Sequence, residues 1–358
     1  MAHHLRASCF LANRSSTLKT FSRCYGYVHV VHKTIPHLLG PGNVWRKCYV
    51  VHPCSVKKDS LLHAQWLTGT KLVNGLPKEI NSISLPNDFI VTEFKERLID
   101  YMKISPDTTP LYSNNNNLNF GLYQACLSCL WSLGNFQHIQ HSYWSPITKV
   151  TSYWRRNGLN FVTFTKPSIL YTSSALDLWP TPSTTTLVDP VKYLNPSHIQ
   201  LFEQSFDDIN VFGGNKSLSL YPMAHTLIVD NDYKKHTLEQ TISHALLQLF
   251  AQSSAQTVQN GYPLDRRLDY PLATQAILTD GLQYTFACYQ LNTLNMTETS
   301  QQEVFNYMWC GPTYKIWNKE KTDLNNKCVT LLLKFLLNEP LRETPALVCP
   351  VNDVKDTT

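Results

Sequence analysis

Acidic residues are absent from the first 58 positions, although the 358-residue chain contains 26 Asp and Glu residues. The same segment carries nine of the 31 Lys and Arg residues, which leaves 22 basic and 26 acidic residues, a net charge of −4, for the rest. The formal net charge of +5 therefore comes entirely from the N-terminal segment. The remainder lacks the strongly basic character of a domain that binds nucleic acid chiefly through charge.

Residues 1–30 have the composition of a mitochondrial transit peptide. Arg and Lys alternate with Ser, Thr and spaced apolar residues, and no acid interrupts them. The segment also lacks the run of roughly 7–15 apolar residues found in secretory signals. We predict that residues 1–30 direct the chain to the mitochondrial matrix. The alternative is a basic arm that stays on the protein and binds RNA, and the stretch from Lys33 to Lys58 fits either description.

Long apolar runs are also missing. The best candidate, Val329–Leu337, is interrupted by Lys334 and falls short of the ~18 apolar residues that a membrane span needs. The ten cysteines show no disulfide-framework spacing, and a chain of this length does not need disulfides to stabilise its core. We expect a protein without a membrane span, whose cysteines are free and mostly buried.

Most enzyme signatures are absent. Glycine is scarce, with 13 residues, and there is no Gly-rich phosphate loop, dinucleotide fingerprint, Gly-x-Ser-x-Gly elbow or His-Glu-x-x-His sequence. Asp207 and Asp208 fit a solvated loop better than a catalytic acid, and Asp280 precedes Gly281 in a turn. We therefore predict a protein that is not an enzyme, with no catalytic residues and no cofactor.

One group of residues has the composition of a zinc site. Cys126 and Cys129 are followed by His138 and His141, and two thiolates with two imidazoles are a zinc ligand set. The spacing differs from that of a zinc finger, and the two cysteines fit the buried side of an aromatic-rich helix. We predict no metal site and interpret these residues as core cysteines and surface histidines.

The rest of the pattern mixes helices with hairpins. Helices are predicted at Asp59–Leu67, at Phe89–Ile104, at Phe120–Trp131, from Asn195-Pro196, from Thr237 and at Asp323–Leu337. The clearest begins with the capping box Thr237-Leu-Glu-Gln240. Its predicted apolar face consists of Leu238, Ile242, Ala245, Leu246, Leu249 and Phe250. Hairpins are predicted around Asn157-Gly158 and Asp280-Gly281, because both turn positions favour positive φ.

These elements predict an α+β fold with a mixed, mainly antiparallel sheet and packed helices. Two similar-sized halves, residues 31–179 and 191–340, flank a Pro/Thr-rich linker at residues 180–190, and residues 341–358 form a disordered tail. The strand from Tyr284 to Leu291 is apolar on both faces, which favours a central position in a sheet over a face covered by a partner.

Basic residues beside aromatic ones suggest limited contact with RNA. The sequence Tyr153-Trp154-Arg155-Arg156 lies at a predicted hairpin tip, where guanidinium groups reach phosphates and aromatic rings stack on bases. The candidate RNA contacts are Lys57, Lys58, Lys149, Arg155, Arg156, Lys166, Arg266 and Arg267. Any one basic pair is more often simply a solvated surface.

Three strings of residues carry a specific resemblance. They are Leu61-Leu-His-Ala-Gln-Trp-Leu-Thr-Gly-Thr-Lys-Leu-Val-Asn-Gly-Leu-Pro77, Tyr221-Pro-Met-Ala-His-Thr-Leu227, and Gln275-Ala-Ile-Leu-Thr-Asp-Gly281 followed by Phe286-Ala-Cys-Tyr-Gln-Leu-Asn-Thr293. The first two resemble segments of the mitochondrial large-subunit ribosomal protein family numbered thirty-seven. The third resembles a segment shared with a sibling family numbered sixty-five, once described as a programmed-cell-death protein. The resemblance extends from about Trp45 to Leu337 and is poor between about Ile80 and Asn119.

The resemblance implies a structural constituent of the mitochondrial ribosome large subunit. It implies a scaffold in the matrix that docks on ribosomal proteins and, by limited contacts, on mitochondrial rRNA, in a heterodimer with the related sibling. It implies no enzymatic activity, cofactor or zinc site, and assigns no individual RNA-contacting residue. Two alternatives remain open at this point: a matrix enzyme without a recognisable motif, and an assembly factor of the large subunit.

Overall fold

A computed structural model describes residues 47–51, 60–85, 88–104, 142–182, 187–188, 202–205, 223–259, 267–296, 304–318 and 323–340. Several predictions fall outside these ranges. They concern the transit peptide, the helices at Phe120–Trp131 and Asn195-Pro196, the tail at residues 341–358, Lys57, Lys58, Arg266, Asp207, Asp208 and the four zinc candidates Cys126, Cys129, His138 and His141.

The described ranges contain five helices and thirteen strands. The helices are α1 (Ser60–Thr68), α2 (Lys78–Ser82), α3 (Asp88–Ile104), α4 (Leu238–Gln259) and α5 (Asn326–Leu337). The strands are β1 (Lys47–Val50), β2 (Thr70–Asn74), β3 (Ser142–Ser145), β4 (Val150–Arg156), β5 (Leu159–Thr165), β6 (Ser168–Thr172), β7 (Leu187–Val188), β8 (Phe202–Ser205), β9 (Met223–Asp230), β10 (Arg267–Thr279), β11 (Gln283–Thr293), β12 (Asn306–Cys310) and β13 (Tyr314–Lys315).

The strands form two sheets. The larger has nine strands in the order β3-β6-β9-β10-β11-β12-β2-β7, with β13 also paired to β11. The smaller has four, in the order β4-β5-β1-β8. Pairing is antiparallel except between β9 and β10, β2 and β12, and β1 and β5. The predicted α+β fold with a mixed, mainly antiparallel sheet is confirmed.

Strand β11 lies in the interior of the larger sheet, between β10 and β12. On one face, the ring of Phe286 packs 5.0 Å from that of Phe335 in α5. On the other face, Tyr289 and Leu291 belong to the same buried cluster as the residues of α4. Helices thus cover both faces, which explains why this strand is apolar on both sides and confirms its predicted central position.

Helix α4 lies between the two sheets. Two neighbouring residues of the helix hydrogen-bond to different sheets. Ser253 bonds to Thr274 of β10 in the larger sheet at 3.0 Å, and Ser254 bonds to Ser152 of β4 in the smaller sheet at 2.5 Å. The helix is therefore buried around most of its circumference, whereas the sequence predicted a single apolar face. The assignment of Leu238 to that face is corrected, because Leu238 is 60% exposed at the first turn.

The predicted start of α4 is confirmed in detail. The Thr237 N–H donates to Gln240 Oε1 at 2.9 Å, and the Gln240 N–H donates to Thr237 Oγ1 at 3.3 Å. These two bonds satisfy amides that have no partner within a helix. Helix α5 begins later than predicted, after Asn325, whose side chain accepts from the Lys327 N–H at 3.1 Å.

Both predicted hairpins are present, with different turns. Asn157 and Gly158 both have positive φ, of +48° and +74°. In the second turn only Gly281 does, with φ +87°. Asp280 instead accepts hydrogen bonds at Oδ1 from the N–H groups of Leu282 and Gln283, at 2.8 and 2.7 Å. Its role is to stabilise the turn, as predicted, but with an ordinary backbone conformation.

The nine-stranded sheet combines strands from both predicted halves. Strand β2 pairs with β12, and β6 pairs with β9, so strands that precede the predicted linker lie on both sides of the four strands β9 to β12 that follow it. The two halves therefore do not build separate sheets. None of the helices in the described ranges is long and apolar enough to span a membrane. Among the cysteines in those ranges, Cys48, Cys288, Cys310 and Cys328 are free and buried.

Candidate functional site

The β4–β5 hairpin carries most of the candidate RNA contacts that the structure describes. Neighbouring residues of a strand point to opposite faces of the sheet, so the sequence Tyr153-Trp154-Arg155-Arg156 is divided between the two faces. Trp154 faces α4, since its ring lies 5.1 Å from that of Phe250. Arg156 shares this inner face, whereas Tyr153 and Arg155 belong to the outer face.

Trp154 is part of the core. Its ring stacks on Phe161 at 5.7 Å with an interplanar angle of 20°, and its indole N–H donates to the Leu67 carbonyl at 2.9 Å. Neither Trp154 nor Tyr153 has an accessible ring face, because both are buried. The predicted stacking of hairpin-tip aromatics on RNA bases has no surface available in this fold.

Arg156 is also fully buried, with 0% exposure. Its guanidinium carbon lies 4.7 Å from the ring centre of Trp66, and its Nη1 contacts Met296 Sδ at 4.0 Å. Burial lowers its pKa to about 10, so the side chain stays charged at neutral pH. The prediction that Arg156 contacts RNA is corrected: a guanidinium group without accessible surface reaches no phosphate, and this one stabilises the core.

The outer face of the hairpin keeps three cations. Val150 is opposite Thr165, and the ladder continues through a hydrogen bond from the Thr148 N–H to the Pro167 carbonyl at 2.9 Å. Lys149 and Lys166 are therefore opposite each other at the open end of the hairpin. They lie on the face that also carries Arg155. We call Lys149, Lys166 and Arg155 the hairpin cations.

The environments of the hairpin cations differ. Lys149 is exposed, while Arg155 and Lys166 are half-buried. Burial, followed by the nearby charge of Lys149, lowers the pKa of Lys166. Two cations on one face favour an anion between them, because cross-strand like charges repel. Arg267, the remaining described candidate, is exposed at the start of β10, and Lys57, Lys58 and Arg266 lie outside the described ranges.

A first buried polar network centres on Asn306. Its Oδ1 accepts from the N–H groups of Asn292 and Thr293 at 2.8 and 3.0 Å, and its Nδ2 donates to the carbonyls of Thr68 and Thr293 at 2.9 and 3.2 Å. The amide thus connects α1 with β11 and β12. Nothing in the sequence around Asn306 signals this role, because its partner Thr68 is 238 positions away.

A second network attaches the end of α5 to the sheet. Gln275 Nε2 donates to Thr226 Oγ1 at 2.8 Å and to the Phe335 carbonyl, and its Oε1 accepts from Asn338 Nδ2 at 3.0 Å. His225 contacts Thr226 Oγ1 through Nδ1 at 2.7 Å and the Asn338 carbonyl through Nε2 at 2.6 Å. A polar Gln in a buried strand was the available signal, and it was missed.

A third network pairs two histidines. Asn231 Nδ2 donates to Thr241 Oγ1 at 3.2 Å, so its Oδ1 is the acceptor for Nδ1 of His236 at 3.0 Å and of His244 at 3.3 Å. In neutral His244, Nε2 then accepts from Gln248 Nε2 at 3.0 Å. Burial lowers the pKa of His244 to about 4, against an opposing effect of Asp230. Burial, followed by His244, lowers the pKa of His236.

These networks use their polar atoms within the fold. Across the described ranges, no three His, Cys, Asp or Glu side chains lie close enough together to hold a metal ion. The buried thiols are also poorly suited to nucleophilic chemistry, since burial raises the pKa of Cys48 and of Cys310 to about 12. Within the described ranges, the three networks link elements of the fold, and the outer face of the β4–β5 hairpin carries the hairpin cations.

The class of protein is indicated by a family match. The family described as Mitochondrial 28S ribosomal protein S30 (PDCD9) matches residues 219–340, about a third of the chain. The matched region begins just before β9 and ends just after α5. It therefore includes Gln275, Asn306 and the two histidines of the third network.

Individual relatives extend the similarity beyond that region. The chain is similar to the large ribosomal subunit protein mL37 of Rattus norvegicus, with 25% identity over 324 residues covering 79% of this chain and 72% of the relative. It is similar to mL37 of Mus musculus, with 25% identity over 299 residues, and to mL37 of Bos taurus, with 22% identity over 293 residues. Each of these two alignments covers 75% of this chain and 69% of the relative.

Proposed function

We propose that the chain is a structural constituent of the large subunit of the mitochondrial ribosome, where it supports mitochondrial translation as a non-catalytic scaffold. The observation that carries this proposal is the similarity to three proteins named large ribosomal subunit protein mL37, over at least three quarters of this chain. The family match, whose description also names a mitochondrial ribosomal protein, supports the class and the location.

The positions of the matching strings support a scaffold. Trp66 and Leu67 are buried, and Thr68, Thr226 and Gln275 hydrogen-bond within the core. Buried residues with such hydrogen bonds connect helices and strands to each other. They do not contact a partner, so binding depends on the surface residues. A scaffold needs this rigidity, whereas an enzyme needs polar groups directed towards a reacting molecule.

The names of the family and of the relatives indicate different ribosomal subunits. The family description names a 28S protein, and the relatives are named large-subunit proteins. We propose the large subunit, because the relatives match most of the chain and the family matches a third of it. Two other functions remain as alternatives: a matrix enzyme without a recognisable motif, and an assembly factor of the large subunit.

Sedimentation of a mitochondrial lysate through a sucrose gradient tests the proposal. We expect the protein in the large-subunit and intact-ribosome fractions, and only in the large-subunit fraction after Mg²⁺ is removed to separate the subunits. Protein found with the small subunit would overturn the subunit assignment. Protein found only at the top of the gradient would favour the enzyme, and protein found only in precursor particles would favour the assembly factor.

We further propose that the protein pairs with its related sibling and contacts rRNA at few positions. The mild negative charge outside the N-terminal segment favours docking chiefly on proteins, with the hairpin cations as a local exception. Chemical cross-linking of isolated large subunits tests the pairing. Cross-links to the sibling are expected, and a set of cross-links to other ribosomal proteins alone would exclude the heterodimer.

Residues 1–30 are proposed to act as a transit peptide on the strength of their acid-free, Ser-rich and basic composition. N-terminal sequencing of the protein from the mitochondrial matrix tests this. A mature N-terminus after about residue 15 is expected from the usual length of such segments. An intact Met1 would support the alternative of a retained basic arm.

A further inference from the structure

A row of aromatic, amide and cationic side chains crosses one face of the nine-stranded sheet. Tyr307 of β12 is paired with Gln290 of β11 on one side and with Lys71 of β2 on the other. Residues paired across neighbouring strands project from the same face, so the three side chains stand side by side. Together with Phe305, two positions before Tyr307, they form what we call the sheet-face patch.

Lys71 is held in position within this patch. Its Nζ lies 4.2 Å from the ring centre of Phe305, a geometry in which the ring attracts the ammonium group. Lys71, Phe305 and Tyr307 are all half-buried, so each keeps accessible surface. Adjacent strands are about 4.8 Å apart, which places the ammonium group within a nucleotide's length of the Tyr307 ring.

The floor of the patch is rigid. The Tyr307 ring packs against the buried Trp309 ring, with ring centres 6.0 Å apart. Gln290 accepts from the Trp179 N–H and donates to Asn292 Oδ1, both at 2.9 Å. Asn292 in turn donates to the Phe305 carbonyl at 2.8 Å. These bonds fix the amides beside Tyr307, so a ligand meets a surface that needs little reordering.

We propose that the sheet-face patch binds a nucleotide of single-stranded RNA, with the base stacked on Tyr307 and a phosphate at Lys71. A nucleotide supplies both a planar π surface and an anion, and it therefore matches both parts of the patch. An acidic peptide would match Lys71 alone. The inference rests on the proposed ribosomal function, which places the protein beside RNA, and it assigns a contact apart from the hairpin cations.

Binding of the purified full chain to a fluorescein-labelled 12-nucleotide oligouridylate, followed by fluorescence anisotropy, tests the proposal. Tyr307→Leu is expected to weaken binding about tenfold, the loss of one base–aromatic stack. Tyr307→Phe retains the ring and should bind like the unchanged protein. Lys71→Gln should weaken binding and reduce the slope of log affinity against log salt by about 0.7. Lys71→Arg keeps the positive charge and should retain the affinity and the slope of the unchanged protein.

Tyr270→Leu is the matched control, because Tyr270 is 46% exposed and lies outside the patch. Its affinity should not change. Thermal unfolding of every variant identifies any change in binding that follows from misfolding. Equal affinities for Tyr307→Leu and the unchanged protein, with equal unfolding temperatures, would overturn the proposal.

Cross-linking within isolated ribosomes separates this proposal from the proposed function. A photoreactive benzoylphenylalanine placed at position 307 should cross-link to rRNA. Cross-linking to a protein, or to no RNA, in particles where the chain still sediments with the large subunit would overturn the RNA contact and leave the ribosomal function standing. If the protein binds the oligouridylate but is found only at the top of the gradient, the ribosomal function is overturned and the RNA contact stands.

Discussion

Arg156 and Trp66 form a buried cation–π pair, with the guanidinium carbon 4.7 Å from the ring centre. Arg156 lies at the end of β4, in the four-stranded sheet. Trp66 lies in α1, the helix that comes directly before β2 of the nine-stranded sheet, so the pair joins α1 to the smaller sheet. Both side chains are buried, and a desolvated pair of this kind is worth about 2 kcal/mol.

Replacing Arg156 should therefore destabilise the fold. We expect Arg156→Ala to lower the free energy of unfolding by about 3 kcal/mol, since it removes the cation–π pair and leaves a cavity. Arg155→Ala is the matched control on the outer face and should change it by less than about 1 kcal/mol. Urea unfolding followed by tryptophan fluorescence measures both, and equal effects of the two substitutions would contradict the distinction between the faces.

A change of one atom at Asn306 tests the first network. Asn306→Asp keeps the two accepted hydrogen bonds but turns the two donated ones into contacts between a buried carboxylate and carbonyl oxygens. We expect a loss of at least about 3 kcal/mol, no smaller than that of Asn306→Ala. The same change at the exposed Asn295 should cost less than about 0.5 kcal/mol. Equal unfolding midpoints for the two Asp variants would argue against the network.

Acid should destabilise the protein through His244. Its folded pKa, about 4, is below the unfolded value of about 6.5, so the unfolded state binds more protons between these values. Stability is therefore fully present above pH 6.5 and falls by about 3 kcal/mol as the pH drops to 4. Urea midpoints measured across this range should follow that slope.

Gln248→Glu provides the counterpart to this measurement. Gln248 Nε2 faces His244 Nε2, and its N–H disfavours a proton on that imidazole nitrogen. A carboxylate at the same position would accept a hydrogen bond from protonated Nε2 and so favour the charged imidazole. The pKa of His244 should rise, and the slope of stability between pH 4 and 6.5 should become shallower. An unchanged slope would mean that other groups cause the acid sensitivity.

The hairpin cations should matter for assembly more than for folding. Lys149→Glu combined with Arg155→Glu reverses two charges on the outer face, and we expect roughly a tenfold loss of incorporation into large subunits if both contact phosphates. Lys78→Glu combined with Lys327→Glu makes the same change in net charge at two exposed sites and should incorporate normally. Pulse-labelling followed by gradient fractionation measures incorporation. Equal incorporation of the two double variants would remove the RNA contact at the hairpin.

Local signals made part of the fold predictable from the sequence. The turn at Asn157-Gly158 and the capping box at Thr237 depend on residues within four positions of each other, and both are present in the structure. The strand Tyr284–Leu291 was identified as central because its own composition excludes a solvated face.

Other features depend on distant parts of the chain. Arg156 is buried against Trp66 of α1 and against Met296, 90 and 140 positions away, and no periodicity within β4 encodes these contacts. Leu238 continues an apolar stripe yet lies at an exposed helix end. The sheet-face patch joins Lys71 to Tyr307 through a parallel pairing, and the pattern of either strand alone gives no sign of the other.

That parallel pairing also determines the order in which the chain can fold. Strand β2, near the beginning, completes its hydrogen bonds only with β12, and Asn306 reaches back 238 positions to Thr68. Closing so long a loop is slow, and although β2 also pairs with the two-residue strand β7, its other edge stays unpaired in the nascent chain until residue 310 is available. The nascent protein is therefore expected to need a chaperone through most of its synthesis, and C-terminal truncations before β12 should aggregate rather than yield a smaller folded unit.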